Sequence, residues 1–480
     1  MSFQVQETTT KAAASNASHP TQSYDLVVVG FGSTALSLAT SLADSETPLK
    51  VLFLESKAAF DWAPASVLPE NATRTSFLRD LITTRNPRSE FTFVNYLFES
   101  GQLVQFVNSS HMAPTRLVMG NYLTWVAAKM EEMEWVRYSS TVTRVVPVKI
   151  GASQISGWKI GVCDAQGTTS TIACKRVVLA TGSKPRIPDA LTGAKGKVLH
   201  TSEVGPLLHN LKDQDIAIVG ADQEAAEIFE HLQSAGALHR VRATMFITDS
   251  ALRPEDNTSL VSLPPILSLH TQRLLTLAKL STQDIIDDIL PGATTSQYPP
   301  ELRPRLLPPS SSSSQTSKIS LRTIETLYEN LYAQRISTPK PSDWRFTIAP
   351  LSLVTSVIPS GNKLRLCLQN TRTNATSTSP GAFDIVIAAG GYEHSISLLQ
   401  DIEAAGVLQD KKAAVDAEYK LSFRRNAVAK DTGIWVMGSL DQGLRDEDMG
   451  YAVERSGRLL ASVLDSVAGS EEARGEVAML

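Results

Sequence analysis

Cysteine is scarce in this chain of 480 residues, with Cys163, Cys174 and Cys367 the three present. Their spacing forms neither a metal-ligand set nor a disulfide framework, so a reducing compartment, the cytoplasm, is the expected setting. The eight histidines show no His-Glu-x-x-His or comparable spacing, and no metal site is expected. No apolar run is long enough to span a bilayer, so no membrane association is expected. A large charge of either sign is missing too: the formal net charge of -4 gives no reason to expect nucleic acid or an anionic surface as partner. Residues 1–22 lack both the hydrophobic region of a signal peptide and the arginines of a transit peptide, and read as a disordered tail.

What is present is ordinary globular material, 42% hydrophobic and 20% charged, long enough for two or three domains. One stretch organises it. Tyr24-Asp25-Leu26-Val27-Val28-Val29 is a continuous apolar run that suits a buried parallel strand, followed by Gly30-Phe31-Gly32-Ser33-Thr34-Ala35. Gly30 allows a tight turn, Gly32 lets backbone approach a pyrophosphate, and Ala35 is small enough for helix to pack on sheet. The amides opening that helix, from Ser33, sit at its positive end and attract phosphate. A second strand, Val51-Leu52-Phe53-Leu54, then delivers Glu55, whose carboxylate can accept both hydroxyls of an adenosine ribose. Strand, helix, strand and acid at this spacing favour a dinucleotide site over a structural turn. FAD is typical of such an N-terminal site, and NAD fits the local chemistry too.

Further along lie Ser76-Phe77-Leu78-Arg79-Asp80-Leu81 and Pro87-Arg88-Ser89-Glu90-Phe91-Thr92-Phe93-Val94-Asn95-Tyr96-Leu97. These segments closely resemble the flavin-dependent N-hydroxylating monooxygenases, especially the fungal ornithine N-hydroxylases of siderophore synthesis. The resemblance implies an α/β flavoprotein with two Rossmann-like dinucleotide-binding domains and a helical substrate-capping segment. The implied order is an FAD-binding domain over 23–205 and an NAD(P)-like domain over 206–254. A helical cap follows over 255–345, with helices at Thr271–Leu290 and Ile319–Gln334 around a flexible 291–318 loop rich in Pro and Ser. Residues 346–383 then return to the second domain and 384–480 to the first, closing with a helix over Met449–Val467. One amphipathic helix is expected over 115–136.

The same resemblance places Lys57, Trp62, Arg74, Gly182, Gly438 and Leu444 with FAD. It places Arg79 where the family's lysine binds the carboxylate of an amino acid, which keeps the charge and adds a fork. Arg74, in the position of a glutamine near the flavin, supports reduced flavin or holds a second acidic group, with a solvated loop arginine as the plain alternative. Arg445 is a further candidate partner for an anion. Arg74 and Arg79 are accordingly the candidate catalytic residues, and Arg79 and Arg445 the candidate substrate residues. Arg85 and Arg88, flanking a proline, read as structural, and Phe91 and Phe93 as core.

Departures from the family are concentrated at its other sites. The second turn, Val219-Gly220-Ala221-Asp222-Gln223-Glu224, keeps Gly220 and Gln223 as candidate nucleotide contacts. It carries Asp222 where the second glycine belongs and Glu224 where a serine belongs. Both acids suit helix capping, which competes with phosphate for the same amides. Thr248 replaces the arginine that holds the 2′-phosphate of NADP, and Gly390 replaces a threonine. NAD(P)H is thereby put in doubt, and any use of nicotinamide leans toward NADH. Leu260-Val261-Ser262-Leu263 replaces Phe-Val-Asn-Glu, and Gln442 to Gly450 departs from His-Gly-Leu-Ser-Asp, which argues against ornithine as substrate. The expected function is FAD-dependent N-oxygenation of another small amine or amino acid in secondary metabolism, by a chain able to form a homo-oligomer. The alternatives are a flavin oxidase or redox-neutral flavoenzyme without nicotinamide, and a non-catalytic flavin-binding protein.

Overall fold

The computed structural model describes residues 22–62, 67–73, 76–109, 112–150, 154–194, 196–208, 210–250, 252, 319–393, 397–410, 413–437 and 449–478. The expected tail, the helix over Thr271–Leu290 and the 291–318 loop lie outside them, apart from Gln22.

Two α/β units form around two sheets. Strand β1 (Gln22–Val29) leads into helix α1 (Ser33–Asp44) and returns as β2 (Val51–Leu54), parallel to β1. Leu26 and Val28 enter one apolar core while Val27 and Val29 enter another, so the strand is covered on both faces. That double burial explains an uninterrupted apolar run, at about 1.5–3 kcal/mol per side chain. Short helices α2 (Phe93–Glu99) and α3 (Leu103–Asn108) precede the long α4 (Arg116–Glu132). Phe91 and Phe93 are buried, at the entry to α2. Helix α4 stops short of the expected residue 136, because Glu134 turns left-handed (φ 58°) and the Trp135 carbonyl accepts the Phe53 amide at 2.7 Å. The chain thereby enters β3 (Val136–Arg137) beside β2.

Strands β4 (Ser140–Ile150), β5 (Gln154–Asp164) and β6 (Thr169–Leu179) complete the first sheet, in the order β3-β2-β1-β6-β5-β4. A late strand, β17 (Gly433–Val436), also pairs with β6. Helix α7 (Met449–Ala478) closes the unit, continuing beyond the expected Val467.

The second sheet is entirely parallel, in the order β11-β10-β9-β15-β8. Its strands are β8 (Val198–His200), β9 (Asp215–Val219), β10 (Arg242–Phe246), β11 (Phe346–Ala349) and β15 (Ile385–Ala388). Helix α5 (Gln223–His239) joins β9 to β10, and helix α6 (Leu321–Ser337) precedes β11. A three-stranded antiparallel sheet of β12 (Ser352–Ser360), β13 (Lys363–Asn370) and β14 (Thr376–Thr378) follows. Where the chain passes between units, β7 (Lys184–Pro185) pairs with β16 (Tyr392–Glu393).

These pairings move the expected boundaries. Strand β8 precedes 206 and β15 follows 384, yet both belong to the second sheet, with Ile385 beside Ile216 and Val386 beside Val198. Helix α6, expected within the cap, shares a core with Ile228 and Phe229 through Ile324 and Leu327. Parallel strands need a covering crossover, and α6 lies on the crossover between β10 and β11.

Candidate active site

The first turn has the shape a dinucleotide needs. Gly30 has φ +96°, and a Cβ there would lie 2.3 Å from the Ala180 carbonyl oxygen, so only glycine lets β1 leave the sheet beside β6. Gly32 differs: a Cβ added to it would meet nothing within 4 Å. Gly32 is also the N-cap of α1, with no side chain bonded to the helix amides. Open space in front of uncapped amides, beginning at Ser33, fits a pyrophosphate. Beside it, Glu55 accepts the Phe31 amide at 2.8 Å and the Lys57 amide at 2.9 Å. A carboxylate so held retains acceptor positions for ribose hydroxyls. The residues therefore fit FAD.

The other expected contacts are more dispersed. Lys57 directs its ammonium to Asp61 at 2.7 Å, on the surface, and Trp62 packs partly buried against the core that contains α1. Gly182 follows β6 with φ +64° and open space around it. Arg74, Gly438, Leu444 and Arg445 lie outside the described residues.

The second turn repeats the glycine and alters the cap. Gly220 has φ +132°, and a Cβ there would come within 2.7 Å of Ala389. Asp222 caps α5, accepting the Ala225 amide at 2.8 Å. Glu224 does not cap. Its carboxylate accepts the Thr201 hydroxyl and, at 3.2 Å, the Tyr392 hydroxyl, which corrects the expectation that both acids serve the helix end. Burial and the neighbouring Glu224 push the Tyr392 phenol well above its ordinary pKa. Gln223 is also engaged away from the turn. Its oxygen accepts the Ser320 amide at 2.7 Å, and its nitrogen donates to Glu227 at 2.7 Å and Thr323 at 3.0 Å. Thr248 is exposed just beyond β10, with its carbonyl accepting the Thr371 hydroxyl at 2.9 Å.

Between the units, Arg116 at the start of α4 meets Glu227 of α5 at 2.8 Å, with both side chains largely buried. They line a cavity of about 40 Å³ together with Leu68, Ser202, Glu224 and Tyr392. The crossing is tight. A Cβ on Gly390 would lie 2.2 Å from the Arg186 carbonyl oxygen and 2.8 Å from Pro188 Cδ. A side chain has no room at this position. Gly390→Thr is expected to cost about 1–3 kcal/mol by overpacking, read as a lower unfolding temperature.

Elsewhere, Arg79 is exposed on a short loop and the adjacent Asp80 is buried. Ser37 of α1 donates to the Leu81 carbonyl at 2.9 Å, and Tyr122 of α4 accepts the Leu81 amide at 3.3 Å. Burial, with the Asp80 carboxylate nearby, raises the Tyr122 phenol well above its usual value. Asp80 carries a local sequence signal, because it belongs to the Ser-Phe-x-x-Asp-Leu segment. Glu227 ends the Ala225-Ala226-Glu227 run that follows the second turn, whereas Arg116 carries no such signal and nothing local announces their pairing.

Comparison with known proteins agrees with this architecture. The sequence pattern of the family described as L-lysine 6-monooxygenase/L-ornithine 5-monooxygenase matches residues 22–266 and 294–394, well over half of the chain. An L-ornithine N(5)-oxygenase of Arthrobotrys oligospora is 30% identical over 460 residues, covering 92% of this chain and 88% of that protein. The L-ornithine N(5)-monooxygenase of Ajellomyces capsulatus is 29% identical over 474 residues, covering 94% and 92%. Among solved structures, an ornithine hydroxylase from Pseudomonas aeruginosa superposes with a TM-score of 0.72 at 26% identity, covering 93% of this chain and 100% of that one. No helix among the described residues is long and apolar enough to cross a membrane. The chain belongs to the L-lysine 6-monooxygenase/L-ornithine 5-monooxygenase family and is a flavin-dependent N-hydroxylating monooxygenase by family.

Proposed function

We propose that this flavoprotein N-oxygenates a small amine or amino acid other than ornithine and takes its hydride from NADH ahead of NADPH. Both units are read as Rossmann-like domains, with Gly30, Gly32, Ser33 and Glu55 holding FAD. When bound, FAD supplies the hydride acceptance and the oxygen chemistry. The chain's own residues bind and orient the partners and exclude water.

Two features bear on the nucleotide, one on its binding and one on the choice between NADH and NADPH. The amides opening α1 have no side-chain cap, whereas Asp222 caps α5 with a carboxylate. A fixed anion at that end opposes the pyrophosphate that both nucleotides share, whereas Thr248 offers no guanidinium to the 2′-phosphate that NADPH alone carries. Asp222→Gly combined with Thr248→Arg is expected to raise the NADPH-dependent rate of flavin reduction at least tenfold. The loss of the cap should cost only a few tenths of a kcal/mol. An unchanged NADPH rate in a folded variant would count against both residues as the cause.

The substrate reading rests on sequence. The relatives above are named for ornithine, while this chain departs from the family at Leu260–Leu263 and Gln442–Gly450 and has Arg79 in place of lysine. Product analysis with ornithine, lysine, cadaverine and acidic amino acids tests it. Hydroxylated ornithine as the dominant product would overturn the choice of substrate and leave the reaction class intact. The Asp222 cap also supports a second reading, a flavoenzyme that has given up nicotinamide. Flavin reduction by either nucleotide at a useful rate would remove it.

A further inference from the structure

We infer that Asp80 is a positioning residue for the amine substrate, acting through Arg79. The inference rests on the reading of Arg79 as the substrate's carboxylate partner.

Asp80 is 1% exposed, and its carboxylate is held by four donors. Oδ1 accepts the Ile82 amide at 3.0 Å and the Thr83 amide at 2.6 Å. Oδ2 accepts the Thr83 hydroxyl at 2.6 Å and, across the chain, the Phe93 amide at 2.7 Å at the start of α2. The next residue is fixed as firmly. Leu81 is bonded through its carbonyl to Ser37 of α1 and through its amide to Tyr122 of α4, whose hydroxyl donates to the Phe91 carbonyl at 2.8 Å. The base of the Arg79 loop is therefore tied to three helices, one of which opens at the FAD turn.

A buried carboxylate satisfied by amides and a hydroxyl is stable only while those donors stay in place. The exposed guanidinium is one residue from this anchor, and its own amide donates to the Ser76 carbonyl at 2.9 Å. Asp80 thus sets where the Arg79 backbone stands relative to α1, and so where a carboxylate on Arg79 would stand relative to the flavin. Misplacement of a positioning group by about 1 Å is enough to lose on the order of 100-fold.

The test is a double-mutant cycle on the full-length, FAD-loaded protein. Its probe is the amine that gives hydroxylated product in the panel above. Asp80→Asn keeps the shape and places an amide nitrogen against an N–H. It is expected to raise KM at least tenfold while kcat at saturating amine falls less than threefold. Arg79→Ala should raise KM on its own, and Asp80→Asn should add nothing to it, because both remove the same interaction. Additive effects would overturn the inference, as would equal losses in KM and kcat with falling FAD content, the mark of a structural role. If Arg79→Ala leaves KM unchanged, the reading of Arg79 fails and the inference falls with it, whereas additivity sinks only the role of Asp80. Should Asp80→Asn not fold, Thr83→Val removes one donor and is expected to raise KM to a smaller extent, again only while Arg79 is present.

Discussion

Gly30→Ala is expected to yield protein without FAD and less stable by about 2–6 kcal/mol. The positive φ alone costs roughly 1–3 kcal/mol for a residue with a side chain. The added Cβ would lie 2.3 Å from the Ala180 carbonyl oxygen, adding about 1–3 kcal/mol of overpacking. That carbonyl cannot retreat freely, because the Ala180 amide is bonded to the Val29 carbonyl at 2.8 Å, in the same strand pair. Gly32→Ala is the informative companion. Its Cβ enters open space, so the fold should survive while FAD affinity falls. Flavin released on denaturation, measured beside the unfolding temperature, separates the two cases. Full FAD content in Gly30→Ala would show that the turn is not built as described.

The second large effect concerns the contact between the units. Arg116→Met or Glu227→Gln alone is expected to cost about 3–5 kcal/mol, because each leaves a largely buried partner without its ion pair. The double variant should recover much of that loss, since apolar or neutral replacements of a buried pair are often tolerated. Glu227 also accepts from Gln223, which in turn holds the first turn of α6, and the amide oxygen in Glu227→Gln can keep that bond, so the two single variants should cost similar amounts. Urea denaturation of the three variants reads this directly. Additive losses would mean that the two side chains act separately.

How much of this could be read beforehand follows from how local each signal is. The run from β1 to Glu55 was legible because strand burial, turn glycines and the terminal acid all act within one short segment. Asp222 was legible as a cap for the same reason, since a carboxylate before a helical pattern has few other roles. Glu224 was misread because its partners, Thr201 and Tyr392, come from distant parts of the chain. The unit boundaries failed similarly. Three residues of β8 are too few to carry a pattern, and only pairing with β15 assigns them to the second sheet. Helix α6 showed its helical period in the sequence, but a period says nothing about which core receives it. Arg74, Arg445 and the segment at Leu260–Leu263 lie outside the described residues.

The most direct measurement is anaerobic stopped-flow absorbance of the FAD-loaded protein mixed with NADH and, separately, with NADPH. Loss of the visible band of oxidised flavin is expected with both, and faster with NADH. Faster bleaching by NADPH would contradict the role given to Thr248, and no bleaching by either would contradict nicotinamide-driven monooxygenation itself.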